Sequence, residues 1–369
     1  MFPEIAQLGC NVLDQAQEAE AGALNRGLPE ADAGRLAAET LQRALDEGSA
    51  EAIEAFRRAI PAYAAQRQRE TESFEQRLLD RWRVPLDGYL ALVGLAIDFW
   101  ERVGQTSRIG AAEQQDHAFF ALDDICARAC RVAHAVHHLL SGGFPLDALA
   151  RARTIHELAV AAFLIQESTD GEDNRDLAER FRLHGHVSAY ADALVYQENA
   201  EGLGYEPLEV EHVERMRITR EELLTRFGRS YRNEYGWASK LLDKDRPTFR
   251  DLEERANLSH LRGFYRWSSQ EVHSGARSLS FNSIDFRGQE VQLVNRTNHY
   301  LADPAQIALI ALMQCMSALL VYSVTDPQEL LYMTTMSHFV DETCNSFVAV
   351  QEQIDREEEN VTHSPPEQP

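Results

Sequence analysis

The stretch HAFFALDDICARACRVAHAVHHLLSGGFPLDALARARTIHELAVAAFLIQ, residues 117–166, decides the fold class. In its first half Leu122, Ile125, Ala129, Val132, Val136 and Leu139 recur at alternating steps of three and four, the spacing of a packed helix face. Gly142-Gly143 supplies a left-handed stop, and Pro145 stands where a new helix can start without its amide hydrogen. So short a connection predicts an antiparallel helical hairpin. The second helix, about Pro145 to Gln166, carries a seam of Leu146, Ala150, Arg153, Glu157, Val160 and Leu164, with two opposite charges four residues apart inside an apolar stripe.

Upstream, Leu86, Leu90, Val93, Ile97 and Trp100 mark the first helix of the main core, with Pro85 in its first turn. Residues 1–80 hold 8 basic and 15 acidic side chains in Ala- and Glu-rich runs interrupted by Gly27, Gly34, Gly48 and Pro61, and read as an N-terminal helical appendage. Downstream, a polar linker over Ser168–Asp173 leads to a helix around Arg175 to Gln197. Between Glu214 and Arg266 there are 13 basic and 9 acidic residues, the one extended positive stretch. A helix is predicted from Ser259, as N-cap, to His273. Phe281–Phe286 and Val291–Val294 around Arg287-Gly288-Gln289 suggest one short hairpin. Asp303-Pro304 opens an apolar helix, and Asp326-Pro327 precedes the last one. The expected fold is all-α, a multi-helix bundle core over residues 81–350 with at most one short β-hairpin, followed by an acidic disordered tail over 351–369.

The chain has 36 basic and 59 acidic residues and a formal charge of −23, which argues against a generic coating of nucleic acid or anionic membrane but leaves room for a local basic groove. Only Lys240 and Lys244 are lysines, and this Arg and Ala richness reads as the bias of a prokaryotic genome. Five scattered cysteines without a CxxC pair fit reduced thiols, and Met1-Phe2-Pro3-Glu4 has no positive stretch followed by an apolar one. The expected location is therefore the cytoplasm. Ile307–Val324, eighteen residues with Gln314 and two serines as the clearly polar members, has acidic flanks and reads as a core helix over a membrane span.

Chemistry is carried by position here. Arg153 and Glu157, one turn apart, can pair on a face that otherwise packs. A buried pair is tolerable where a lone charge would cost several kcal/mol. The pair reads as an anion clamp, Glu157 holding Arg153 for a phosphate or carboxylate, or as a salt bridge that fixes register. Tyr265, Ser269 and His273 form a second polar stripe, with Arg262 and Arg266 beside it. Histidine suits proton transfer near neutral pH, and a nearby tyrosine or arginine can meet developing negative charge; the alternative is that Tyr265 and His273 satisfy buried groups at a helix end. Cys126, Cys130 and His134, joined by His137 and His138, look like metal ligands, but one helix cannot easily wrap them round one ion, so no metal is expected and no cofactor is implied. Arg128 to His134, Arg131 to His137 and Arg180 to His186 have a loose Arg-x5-His spacing that keeps a ribonuclease in view. Phosphate-loop, GxSxG, HExxH and Rossmann patterns are missing from the sequence.

The Ala127–Gln166 hairpin with Arg153-Thr154-Ile155-His156-Glu157, then Trp237-Ala238 and Tyr265-Arg266-Trp267-Ser268-Ser269-Gln270-Glu271-Val272-His273-Ser274, resembles a large prokaryotic family, the domain of unknown function numbered five-six-seven-seven. The resemblance runs over about Asp80 to Val350, departs at Ser274-Gly275, and implies an all-helical core in which Arg153, Glu157, Tyr265 and His273 are the characteristic polar residues. It carries no chemistry of its own. Two readings follow. One is a hydrolase or toxin-like defence effector on a phosphate-bearing substrate, RNA included, with His273, Glu157, Arg153 and Tyr265 catalytic and Arg262, Arg266 and Ser269 binding substrate. The other is a non-catalytic helical sensor or protein-interaction module. The first places the Arg153 and Tyr265 helices side by side with His273 near Glu157 or Arg153, lining one shared cavity.

Overall fold

The computed structural model describes residues 2–168, 176–272, 283–286, 289–292, 294–324 and 326–363. His273, the Ser274-Gly275 turn, the 169–173 linker, the predicted helix start at Arg175, Arg287-Gly288 and the final 364–369 lie outside the described residues. The chain divides into two compact units, Met1–Arg77 and Leu78–Pro369.

The first unit pairs α1 (Pro3–Asn25) with the amino-terminal part of α2 (Glu30–Glu113) across a turn at Gly27, whose φ of 79° suits glycine. Small residues line the seam: Ala23, Ala33, Ala44 and Ala55 are buried beside Val12. Phe2 packs on the rings of Phe56 and Tyr63, 5.1 and 5.2 Å away. Contrary to the predicted interruptions, α2 runs through Gly34, Gly48, Pro61 and Pro85. Alanine, glutamate and arginine around Pro61 are strong helix formers, and the exposed proline forfeits one backbone bond without ending the helix.

In the second unit, α3 (His117–Ser141) and α4 (Pro145–Ser168) form the antiparallel hairpin. The Asp116 carboxylate caps α3 by accepting from the amides of Ala118 and Phe119, both at 3.0 Å. Gly143, at φ 78°, turns the chain, and its carbonyl accepts from Thr297 N at 2.9 Å. Leu122, Ile125, Ala129, Val132 and Val136 are buried as the seam predicts, while Leu140 takes the last core position in place of Leu139. The apolar helix α10 (Ala302–Ser323) packs on α3, α4 and α11 (Pro327–His363). It is long and apolar enough to cross a membrane by composition, and 56% of its apolar window is buried in this packing. Alanines on both partners, Ala148, Ala152, Ala159 and Ala162 of α4 and Ala305, Ala308, Ala311 and Ala318 of α10, are buried at this heart of the core. The core-side part of α2 closes one side: Tyr89 Oη donates to Ala133 O at 3.2 Å, and Arg108 grips Asp123 in a fork at 2.9 and 3.1 Å.

The remaining elements are α5 (Leu177–Leu203), α6 (Val210–Phe227), 3-10 turns at Arg229–Arg232 and Gly236–Ala238, α7 (Ser239–Leu242), α8 (Phe249–Arg255), a 3-10 turn at Ser259–Leu261 and α9 (Arg262–Val272). Ser259 is not the N-cap: it is the first residue of a 3-10 turn that precedes α9, and Leu258, at the head of that turn, makes no side-chain capping bond. The one sheet among the described residues is a hairpin, β1 (Ser283–Phe286) antiparallel to β2 (Gln289–Gln292), with Phe286 opposite Gln289. The fold is all-α. Residues 351–363, expected as a frayed tail, are the last turns of α11. Ile354 is buried, Glu357 pairs with Arg81 at 2.7 Å and Gln351 Oε1 accepts from Tyr300 N at 2.9 Å.

Candidate functional site

The buried face of α4 descends through Ala148, Ala152, Ile155 and Ala159, which leaves Arg153 and Glu157 at its margin, half-buried and turned toward α9. The seam predicted through these two charges is therefore the border of the packed face. Arg153 Nε donates to Glu157 Oε1 at 3.0 Å, and Nη2 lies 2.9 Å from the same oxygen. From α9, Tyr265 completes the group: its hydroxyl accepts from Arg153 Nη2 at 2.8 Å and donates to Glu157 Oε1 at 3.2 Å. Burial and the adjacent Glu157 carboxylate push the Tyr265 hydroxyl up to about 12, so it stays a protonated donor at neutral pH. The Arg153 guanidinium also lies 4.5 Å from the centre of the Tyr265 ring.

A second group lies against the other side of this junction, and the sequence reading missed it. Glu253 of α8 is fully buried, between His156 Nε2, which donates to its Oε1 at 2.9 Å, and Arg262 Nη1, which donates to its Oε2. His156 is buried as well, and its Nδ1 has no hydrogen-bond partner. The Tyr265 ring connects the groups: it stacks on Phe249 at 4.5 Å, meets the His156 ring edge-on at 6.2 Å and has the Arg262 guanidinium 5.5 Å from its centre. Thr248 and Asp251 orient α8 by a reciprocal capping box, and the bond from Lys244 together with the Thr248 backbone and hydroxyl holds the Asp251 carboxyl down at about 2. With Phe249 and Leu252 buried, the next residue, Glu253, is carried inward. His156 was legible in principle, because it lies beside Ile155 on the three- and four-residue steps of the buried face. Glu253 left no such signal in a short, charge-rich helix.

The structure thus brings together Arg153, Glu157, Tyr265 and Arg262. Arg266 is exposed, and Ser269 Oγ donates to the Tyr265 carbonyl at 2.7 Å, so its hydroxyl serves its own helix. Among the described residues the junction is packed: the crevice bounded by Arg153, His156, Phe264, Tyr265 and Ile307 has no space for a water molecule, and the His273 side of the expected shared cavity lies outside them.

Cys126 and Cys130 point inward and His134 and His138 outward, so that stripe does not converge; Cys126 donates to Cys315 O at 3.3 Å. Among the described residues no three His, Cys, Asp or Glu side chains are grouped to hold a metal ion. The Arg180 to His186 spacing likewise joins a buried arginine to an exposed histidine.

An all-helical core with two linked Arg–Glu groups across α4, α8 and α9 is what the family comparison falls on. Residues 121–290, the stretch carrying the Arg153 and Tyr265 motifs, match the model of the family described as Family of unknown function (DUF5677), a narrower stretch than the 80–350 expected. No curated protein and no solved structure matches the chain.

Proposed function

We propose that the rim of the α4/α9 junction binds and acts on a phosphate-bearing substrate, RNA among the candidates, as a hydrolase or toxin-like defence effector in a prokaryotic cytoplasm. The observation that carries this reading is the fixed setting of Arg153: Glu157 and Tyr265, from two helices, hold a guanidinium whose side chain keeps 16% of its surface exposed. A guanidinium held in one orientation loses little freedom when it meets phosphate, and its planar fork matches two oxygens. Arg262, one-third exposed, adds a second cation on the other side of the Tyr265 ring system. In this reading Arg153 and Arg262 receive charge, Glu157 positions Arg153, Tyr265 donates a hydrogen bond, and exposed Arg266 extends the contact. His273, one four-residue step beyond Ser269, moves the proton; its role rests on that spacing alone.

A second reading, a non-catalytic sensor or interaction module, is favoured by the closed crevice. Two arginines and two glutamates balance each other there around packed rings, which is what a network that locks helices requires. The experiment that separates the two incubates the full chain with end-labelled single-stranded RNA and a generic phosphomonoester. It then compares Arg153→Lys, Tyr265→Phe and His273→Ala, with each variant's unfolding midpoint measured in parallel. Turnover lost in Arg153→Lys and His273→Ala at an unchanged midpoint supports catalysis. An inactive wild type, or a fully active His273→Ala, overturns it in favour of the module.

A further inference from the structure

A polar cavity of about 630 Å³ lies between the start of α5, the end of α6 and the 3-10 and α7 turns that follow, and it shares no residue with the α4/α9 junction. Its volume falls within the range of small-ligand sites. At its base is Arg180, whose side chain is only 4% exposed. Arg180 Nε donates to Trp237 O at 3.0 Å, Nη2 donates to Ser239 Oγ at 3.1 Å and to Gly236 O at 3.4 Å, and the guanidinium lies against the rings of Phe227 and Tyr231 at 4.9 and 5.3 Å. These partners are neutral dipoles. The carboxylate that pairs with it, Asp176, stands 3.8 Å from Nη1, beyond hydrogen-bond distance, and its other oxygen is taken by Lys240 at 2.9 Å. Arg180 is thus a buried cation bonded to neutral groups through Nε and Nη2 but short of a close counter-charge, and burial lowers its pKa accordingly.

Three further cations line the same space, each half exposed and paired with one carboxylate: Lys240 with Asp176, Lys244 with Asp251 and Arg226 with Glu179. Both lysines of the chain, Lys240 and Lys244, are there, with Arg226. In a chain whose other basic residues are all arginine, this is where the compact ammonium groups are found. The motif Trp237-Ala238, which the α4/α9 junction does not use, contributes the carbonyl that holds Arg180. Asp243 and Asp245 also line the cavity. They oppose a long polyanion such as RNA but accept hydrogen bonds from hydroxyl groups.

We propose that this cavity binds a small phosphorylated polyhydroxy ligand of the sugar-phosphate class, its phosphate supplying the close counter-charge that Arg180 lacks and sharing Lys240 with Asp176, its hydroxyls facing Asp243 and Asp245. Calorimetric titration of the full chain with ribose 5-phosphate and, separately, with inorganic phosphate tests it. One-to-one binding is expected, tighter for the sugar phosphate. Lys240 is half exposed, so Lys240→Ala should fold and lose about tenfold or more in affinity for both probes, the weight of one charge-assisted bond. Asp243→Asn with Asp245→Asn should narrow the gap between the probes while phosphate still binds. The binding that Lys240→Ala weakens should persist in Arg153→Lys, which keeps this site separate from the α4/α9 reading. No binding of ribose 5-phosphate in the millimolar range, or equal affinity in Lys240→Ala and wild type, overturns the proposal.

Discussion

Replacing Glu253 by glutamine keeps the side chain's shape and removes its charge at the most buried carboxylate of the α4/α8/α9 junction. Glu253 accepts from His156 Nε2 at 2.9 Å and from Arg262 Nη1, and none of its surface is exposed. A glutamine has one acceptor oxygen, so whichever partner it keeps, its amide hydrogens face the other's donor. One charge-assisted bond is lost outright, at about 1.5–3 kcal/mol, and the other falls to a neutral bond worth roughly 1 kcal/mol less. Arg262, one-third exposed, recovers part of this by turning to water, which sets the expected loss near 3 kcal/mol. Glu157→Gln is the internal control. Glu157 keeps 32% exposure and Arg153 retains the Tyr265 hydroxyl, so its loss should stay at or below about 1 kcal/mol. Urea unfolding followed by tryptophan fluorescence reads this well, because Trp82, Trp100, Trp237 and Trp267 all lie in the unit 78–369. In thermal unfolding the same difference should appear as a drop of roughly 6–12 °C for Glu253→Gln. Equal midpoints for the two variants would refute the assignment of Glu253 as the buried anchor of the junction.

Three further outcomes are expected. A methyl group added at Gly236 would meet Ser230 O at 2.5 Å and Tyr231 O at 2.6 Å, both backbone atoms, so Gly236→Ala should cost at least about 2 kcal/mol in the same urea assay. Burial holds His184 below its ordinary pKa although Nε2 donates to the carbonyls of Tyr231 and Asn233, and burial with the nearby His134 does the same for His137. Below the ordinary histidine range the unfolded chain therefore binds protons that the folded one refuses. Stability should be full above about pH 6.5 and fall as pH drops through it, with a shallower fall in His184→Gln. Cys10 is exposed and the other four cysteines are buried, with Cys130 and Cys344 pushed up to about 12 by burial, so a thiol reagent should titrate one cysteine in the native chain and five in urea.

Much of the helical architecture could be read from local rules. The Gly142-Gly143-Pro145 connection and the Leu122 to Val136 seam are short-range signals, and both appear where the spacing puts them. The pairing of Arg153 with Glu157 is likewise local, and Tyr265 reaches it because α9 lies on α4. What local rules misjudge is competition. Gly34, Gly48 and Pro61 read locally as breaks and Pro85 as a helix start, yet helix-forming neighbours carry α2 through all four. Ser259 has the chemistry of a cap, but the chain enters α9 through a 3-10 turn instead. The fully buried Glu253 is invisible to periodicity because its burial depends on His156 and Arg262, 97 and 9 residues away in sequence. The filled junction follows from three aromatic side chains, Phe249, Phe264 and Tyr265, whose volumes add up only once α8 and α9 are placed.

The distribution of lysine has a practical side. Apart from the chain's α-amine, the primary amines are those of Lys240 and Lys244, about half exposed and both at the polar cavity beneath α5 and α6. Amine-directed chemistry, which scatters labels over an ordinary protein, is here close to site-specific. A dye coupled this way reports on one cavity. Coupling the protein to a resin through its amines, the usual route to capturing partners, would cover that same cavity and hide whatever binds there; a cysteine-directed link through exposed Cys10 leaves both lysines unmodified.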